Sequence, residues 1–258
     1  MNRRILMKIG GKAFDEPGCF NDLANGIKAN PGVDYIIVHG GGAEISLALC
    51  ASGRETCFVD GVRVTEAQDL EIVEEVLEKI NERIAGSLSS YGVSCERLSG
   101  KTDSLLVAKP MKNRCQSLGF VGEITESNPE PVLTCLVNRK VPIVSPISSG
   151  IDGHTYNVNA DTAAAALAVA SGCTDLVYFT DVEGVQIDGL LCSKLSVAEA
   201  NNLIAAGKIK GGMVAKLRSA FEALSCEVPQ VHILKWQGQH TLAQLLNGHK
   251  PVGTTIHR

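Results

Sequence analysis

The chain has 258 residues, with 24 lysines and arginines against 28 acidic residues and 45% hydrophobic side chains. That length can bury a sizeable core without covalent staples, and it fits one large domain or two lobes. The slight acidic balance excludes electrostatic capture of nucleic acid as the main task, and abundant, evenly spread apolar residues exclude a disordered chain.

Ile5–Ile9 predicts a short buried strand that stops at Gly10-Gly11, and Tyr35–Val38 a second that runs into His39-Gly40-Gly41-Gly42. A helix is expected from about Ala43 to Ala51. Another begins near residue 65, with Thr65 as its N-cap. Its apolar stripe is Leu70, Val73, Leu77, Ile80, Ile84 and Leu88, a 3/4 alternation that marks one helical face. Short apolar runs broken by Gly119 and Gly122 predict β-hairpins over 105–125. The alternation then resumes: strand Ile143–Val144, helix Asp161–Ser171, strand Leu176–Phe179, helices Val197–Ala206 and Met213–Leu224, strand Val231–Leu234, and a short strand near Thr254–Ile256. Strands alternating with helices predict an α/β fold with a mainly parallel open sheet covered on both faces. The division expected is into lobes 1–172 and 173–258.

The nine cysteines are odd in number and contain no CxxC pair, which argues against a disulfide framework or zinc knot and for reduced thiols. The start Met-Asn-Arg-Arg-Ile-Leu-Met-Lys carries no apolar stretch of signal length, and no run reaches a membrane span. The expected setting is the cytoplasm, with a small-molecule substrate and no nucleic acid or membrane as partner.

In open α/β sheets, ligands bind outside the carboxyl ends of the strands. Lys8 with Gly10-Gly11 lies at one such end, and Gly40-Gly41-Gly42 opens a helix at another. Each glycine run reads either as a tight turn or as exposed backbone N–H groups at a helix N-terminus, ready for an anion. Tyr156-Asn157-Val158-Asn159-Ala160-Asp161 leads into an alanine-rich helix; a cap needs one polar residue there, and the segment has more. Lys216, in the first turns of a helix opened by Gly211-Gly212, is electrostatically disfavoured at that end. It reads either as a solvated lysine or as one that faces a bound anion. The segment Cys95–Thr102 falls one residue short of a P-loop, has Cys95 where the first glycine belongs, and is followed by a strand pattern, so the P-loop reading is rejected.

Taken in order, Lys8-Ile9-Gly10-Gly11, His39-Gly40-Gly41-Gly42-Ala43-Glu44-Ile45, Gly61-Val62-Arg63-Val64-Thr65, Leu98-Ser99-Gly100-Lys101, Gly122-Glu123-Ile124, Tyr156–Thr162, Thr180-Asp181-Val182-Glu183-Gly184-Val185 and Gly211–Lys216 resemble the N-acetyl-L-glutamate kinases of the amino-acid kinase family. The resemblance spans nearly the whole chain. It implies a three-layer αβα sandwich around an eight-stranded sheet, with the amino-acid substrate in the first lobe and ATP in the second. The implied reaction moves a phosphoryl group from ATP, with Mg²⁺ held mainly by the ATP phosphates and not by a protein metal site, to the side-chain carboxylate of N-acetyl-L-glutamate. That is the second step of arginine biosynthesis.

By the same resemblance Lys8 and Lys216 stabilise the transition state, with Asp161 between them. Gly41 and Gly42, with Arg63 and Asn157, hold the substrate. Gly11 holds the phosphoryl group, and Asp181, Val182, Gly184, Lys208, Ile209 and Lys210 line the nucleotide site. A carboxylate is already nucleophilic at neutral pH, so no general base is expected. Ala43 stands where many relatives have proline. Lys8 lies close to the start of the chain, which leaves no room for the extra helix of the arginine-inhibited hexamers and implies an arginine-insensitive homodimer. The competing readings are a carboxylate kinase for aminoadipate or a carrier-linked amino acid in lysine biosynthesis, and a non-catalytic ligand sensor on the same fold.

Overall fold

The computed structural model describes residues 3–10, 14, 16–59, 61–113, 117–247 and 253–258. Among them every cysteine is a free thiol, and no helix is long and apolar enough to cross a membrane.

The chain begins with β1 (Arg4–Ile9), α1 (Cys19–Lys28), β2 (Asp34–His39), α2 (Gly42–Ala51), a small hairpin of β3 (Phe58–Val59) and β4 (Val62–Arg63), and the long α3 (Ala67–Ser90). Next come β5 (Cys95–Gly100), the hairpin of β6 (Leu106–Pro110) and β7 (Val121–Ser127), α4 (Glu130–Val137), β8 (Val141–Gly150), β9 (Thr155–Val158) and α5 (Ala160–Ala170). The remainder is β10 (Asp175–Thr180), a hairpin of β11 (Gln186–Ile187) and β12 (Leu190–Leu191), and β13 (Lys194–Ser196). It closes with α6 (Val197–Ala205), α7 (Gly212–Ser225), β14 (Gln230–Lys235), α8 (His240–Leu246) and β15 (Gly253–His257).

One eleven-stranded sheet runs β13-β15-β14-β10-β1-β2-β8-β6-β7-β9, with β5 paired to β8. Eight of these strands, β13-β15-β14-β10-β1-β2-β8-β5, form a body that is parallel except where β15 meets β14. The resemblance implies eight strands; the sheet has eleven, because β6, β7 and β9 extend this mainly parallel body. They do so because β8 is long: its first half lies between β2 and β5, and its second half, past Pro146, pairs with β6 and β9.

The strands read as almost continuous hydrophobic runs because both faces are covered. Side chains alternate between faces along a strand. Leu6, Ile36, Val38, Leu176 and Tyr178 enter the core beneath α5 and α7. Ile5, Met7, Tyr35, Ile37, Val177 and Phe179 enter the opposite core, beneath α1, α3 and α8. Lys8 shares its parity with Leu6, so it is delivered to the α5/α7 face. His39 shares its parity with Tyr35 and Ile37, so it is delivered to the α3 face.

Two expectations change. Thr65 does not cap α3. Glu66 takes that place, and its N–H donates to the Asp69 carboxylate at 3.3 Å. Thr65 is fully buried, and its hydroxyl donates to the Arg63 carbonyl at 3.1 Å. Helices α1 and α4, both absent from the sequence reading, cover the sheet near Tyr35 and near Val144.

Candidate active site

The carboxyl ends of β1 and β2 lie side by side, with β10 on the far flank of β1, where the direction of strand addition reverses. Such a switch point leaves a crevice above the sheet. Its floor is formed by Lys8, the penultimate residue of β1, which is only 8% exposed.

Three charged side chains converge there. Asp161 stands in the first turn of α5, which is capped by the Asn159 side chain accepting from the N–H groups of Asp161 and Thr162. Its Oδ1 lies 2.9 Å from Lys8 Nζ. Lys216 Nζ, from the first turns of α7, donates to the same Oδ1 at 3.0 Å and to Oδ2 at 2.8 Å. The alanines of α5 let α7 approach closely enough for this reach, and Thr162 and Ser219 meet at 3.4 Å between the helices.

Burial pushes the Asp161 carboxyl up, but the two ammonium groups outweigh it and hold it below the usual carboxylate range. Burial, and then Lys8, draw Lys216 below the ordinary lysine value against the pull of Asp161 and Asp181. Two cations around one anion leave a surplus positive charge in a largely dry place, where electrostatic attraction is strong. The Tyr178 ring underlies Lys216 at 5.1 Å, and its hydroxyl donates to the Asp161 carbonyl at 3.2 Å.

A cavity of about 260 Å³ opens beside this cluster, lined by Lys8, Gly41, Gly42, Arg63, Asn157 and Asp161 among others. Arg63 is buried at its wall. Its Nη2 donates to the Gly42 carbonyl and to Ser46 Oγ, each at 2.7 Å, and its guanidinium lies 4.6 Å from the centre of the Phe58 ring. Its Nη1 has no hydrogen-bond partner among the described residues. A buried guanidinium N–H left open is costly unless something docks on it. Burial lowers the Arg63 pKa from its ordinary value against the pull of Asp69. Asn157 Nδ2 donates to Thr65 Oγ1 at 3.0 Å, so Thr65, misread as a cap, in fact fixes the amide of a cavity residue.

The glycine loop between β2 and α2 divides the labour of its residues. A Cβ on Gly41 would lie 2.8 Å from Ile80 Cδ1 and 3.1 Å from Leu77 Cδ2, against α3, whereas one on Gly42 would meet nothing within 4 Å. Gly41 thus fits against the helix below, and Gly42 faces open space at the N-terminus of α2. A Cβ on Gly10 would collide with Lys8 Nζ, so the glycine there keeps room for the lysine. Gly11 lies outside the described residues.

The other predicted residues are spread along the C-terminal half. Asp181, at the end of β10, is close enough to Lys216 to act on it electrostatically. Val182 is exposed. Gly184 has φ +155°, and a Cβ there would lie 2.7 Å from Thr254 Oγ1; that hydroxyl accepts from the Val185 N–H at 2.8 Å. Lys208 pairs with Asp188 at 2.8 Å, which ties the α6–α7 loop to the β11–β12 hairpin. Ile209 is 4% exposed and belongs to the core, and its N–H donates to the Leu203 carbonyl at 3.3 Å, so its side chain does not face a ligand, while Lys210 is exposed.

Two polar residues at the site escaped sequence reasoning: Ser46, which receives Arg63, and Asn81. Asn81 sits inside the apolar stripe of α3, one position past Ile80, and is 3% exposed. A polar residue on a buried stripe was the available signal.

The model of the amino acid kinase family matches residues 3–235. An acetylglutamate kinase from Desulforamulus reducens is 39% identical over 98% of this chain and 91% of its own length. One from Pseudothermotoga lettingae is 35% identical over 98% and 91%. Among solved structures, an N-acetylglutamate synthase from Neisseria gonorrhoeae, complexed with coenzyme A and N-acetyl-glutamate, superposes with a TM-score of 0.86 at 26% identity. The superposition covers all of this chain and 60% of that one. An isopentenyl phosphate kinase shares the fold, with a TM-score of 0.70 at 18% identity, over 98% of this chain and all of its own.

Proposed function

The chain belongs to the amino acid kinase family, and from its site we propose that it transfers the γ-phosphoryl group of ATP to the side-chain carboxylate of N-acetyl-L-glutamate, the second step of arginine biosynthesis. The observation that carries the reading is the Lys8–Asp161–Lys216 cluster at the floor of a cavity whose wall offers the open Nη1 of Arg63. Relatives named acetylglutamate kinase that align over nearly the whole chain support it.

Arg63 Nη1 takes the α-carboxylate of the acceptor, for which a guanidinium is well shaped, and Asn157 hydrogen-bonds the same end. The N–H groups of Gly41 and Gly42, at the positive end of α2, and that of Gly11 hold the reacting oxygens. The acceptor's side-chain carboxylate attacks the γ-phosphorus; the bond to the β–γ bridging oxygen breaks, and that oxygen leaves with ADP. Phosphoryl transfer is mainly a matter of positioning and charge stabilisation. Lys8 and Lys216 approach the transferring oxygens from the two sides of the sheet's switch point, and Asp161 holds both ammonium groups in place.

The nucleotide lies over the second half of the chain, against Asp181, Val182, Gly184, Lys208, the Ile209 backbone and Lys210. Among the described residues no three His, Cys, Asp or Glu side chains converge as a metal site. Mg²⁺ carried on the ATP phosphates, where it would offset their charge, is part of the proposal. Lobes 1–172 and 173–258, a homodimer and a cytoplasmic location belong to the same proposal.

ADP release with ATP and Mg²⁺ is to be measured on N-acetyl-L-glutamate beside glutamate, N-acetyl-aspartate and N-acetyl-aminoadipate, with hydroxylamine to trap an acyl phosphate. Turnover confined to N-acetyl-L-glutamate is expected, with Lys216→Ala lowering kcat by about 10²-fold or more while both substrates still bind. Turnover on another acid alone moves the substrate. Folded protein that binds ATP but phosphorylates none of the four overturns the kinase reading in favour of a sensor.

A further inference from the structure

His39 is the last residue of β2 and directly precedes the glycine loop, and its ring is 1% exposed. Its Nδ1 lies 3.0 Å from the Gly40 carbonyl oxygen, and its Nε2 lies 3.2 Å from Asn81 Nδ2. The same Nδ2 reaches the Ile143 carbonyl at 2.8 Å and the Leu98 carbonyl at 3.2 Å. Asn81 Oδ1 is buried with no partner among the described residues.

These contacts fix the protonation pattern. Two carbonyl oxygens near Asn81 Nδ2 require the amide nitrogen there; the flipped amide would set oxygen against oxygen. The nitrogen is a donor only, with two protons for three acceptors: one goes to the nearer Ile143 carbonyl and the second is shared between the Leu98 carbonyl and His39 Nε2, which accepts and so carries no proton. A carbonyl accepts only, so Nδ1 must carry the proton and donate to Gly40. Both ends of the ring are then satisfied by a neutral imidazole in one tautomer.

The charged groups around the ring are Lys8, Arg83 and Glu44. Burial, with Arg83 and Lys8 adding to it, pushes the imidazole pKa down to about 4 against the Gly40 contact and Glu44.

Helix α3 supports the loop at more than this one point. Leu77 and Ile80 bear on Gly41, and Asn81 follows on the same face, since residues three and four apart on a helix are neighbours. Three successive contacts thus run from α3 to the loop: Leu77 and Ile80 to Gly41, and Asn81 through His39 to Gly40.

We propose that His39 and Asn81 form a positioning dyad for phosphoryl transfer. Asn81 holds His39 in the Nδ1–H tautomer, and His39 orients the Gly40 peptide so that the following N–H groups point at the reacting oxygens. Neither residue touches substrate. The inference rests on the reaction assigned above and adds to it the device that aims its backbone donors. A small misplacement of such donors costs on the order of 10²-fold in rate, and it falls on kcat because the donors act on charge that develops in the transition state.

The test compares His39→Ala, Asn81→Ala and His39→Asn with the wild type, after thermal melts establish that each is folded. An asparagine at 39 carries its amide nitrogen where Nδ1 stood. His39→Ala and Asn81→Ala are expected to lose about ten- to a hundredfold in kcat with KM for both substrates within about threefold, and His39→Asn to regain most of the loss. Nuclear magnetic resonance of isotope-labelled histidine in the wild-type protein is expected to place the proton on Nδ1 throughout about pH 5 to 9.

Wild-type kcat in both alanine variants, an asparagine variant no better than the alanine one, or a wild-type proton on Nε2 overturns the dyad. A wild-type protein without turnover on N-acetyl-L-glutamate overturns the assigned reaction instead, and the tautomer measurement then decides the dyad by itself.

Discussion

Arg63 carries an asymmetry that tells what it is for. One guanidinium nitrogen is fully occupied by Gly42 and Ser46, while the other is buried and open. The occupied arm fixes the fork, and on the proposed reading the open arm takes an anionic group of the acceptor. A hydrogen bond to a charged group contributes about 1.5–3 kcal/mol, or roughly ten- to 150-fold in affinity. Arg63→Ala is therefore expected to raise KM for the acceptor by about that factor while KM for ATP stays within about twofold. Equal rises in both constants in steady-state kinetics would argue against the assignment.

Residues of this kind were legible in the sequence where charge stood out from its surroundings: Lys8 at the end of an apolar strand, Asp161 before an alanine run, Lys216 at the unfavourable end of a helix. Thr65 was misread because a hydroxyl before a helix has the same local signature whether it caps the helix or, as here, binds Asn157. The pairing of His39 with Asn81 joins residues 42 apart, and no local pattern encodes it.

At the scale of elements, α3 is the platform on which the glycine loop rests, and the loop's two inner glycines should respond differently to a methyl group. Gly41 has φ −161° and ψ 15°, away from the left-handed region that calls for glycine, and its tightest constraint is space. Gly41→Ala forces Leu77 and Ile80 apart in a packed core, which costs about 1–3 kcal/mol, and a melt should drop by several degrees. Gly42→Ala meets no protein atom within 4 Å; its melting temperature should match the wild type, while turnover falls because the methyl occupies ligand space. Similar melting temperatures for the two variants would contradict the division of roles.

The long apolar stripe of α3 was readable because five of its residues, Val73, Leu77, Ile80, Ile84 and Leu88, are buried at helical spacing. Helix α1 was not. Its buried face is Cys19, Leu23, Ala24, Gly26 and Ile27, small and mixed residues behind Pro17-Gly18, which look like loop. Helix α4 is only eight residues long, too short for periodicity to declare itself.

Over the whole molecule, the alternation of strand and helix foretold a parallel sheet, but not its order, because pairing is decided by which edge each returning strand finds. The order matters: β1 pairs with β10 across the division at residue 172, so the two proposed lobes share one sheet. At the end of that seam opposite the site, Arg3 clamps Asp175, the first residue of β10, with Nε at 2.9 Å and Nη2 at 2.6 Å. Its guanidinium also donates to the Leu246 and Leu245 carbonyls at the end of α8, at 3.0 and 3.2 Å. His232, from β14, comes within 3.8 Å of the same carboxylate.

Burial pushes the Asp175 carboxyl up, but His232, Arg3 and Thr174 outweigh it and hold it far below the usual carboxylate range. A depressed folded-state pKa stabilises the protein above the unfolded value, near pH 3.9 or so, and that contribution is lost as pH falls toward the folded-state value. Asp175→Asn leaves the partly exposed Arg3 without its anion and removes a buried acceptor, a change that costs about 1–3 kcal/mol. The stability gap between wild type and Asp175→Asn, from urea unfolding, should therefore be full at neutral pH, hold down to about pH 4 and narrow below it. A gap that stays constant through that acid range, or opens only there, would mean that β1, β10 and the end of α8 are held together by backbone pairing and packing and not by this carboxylate.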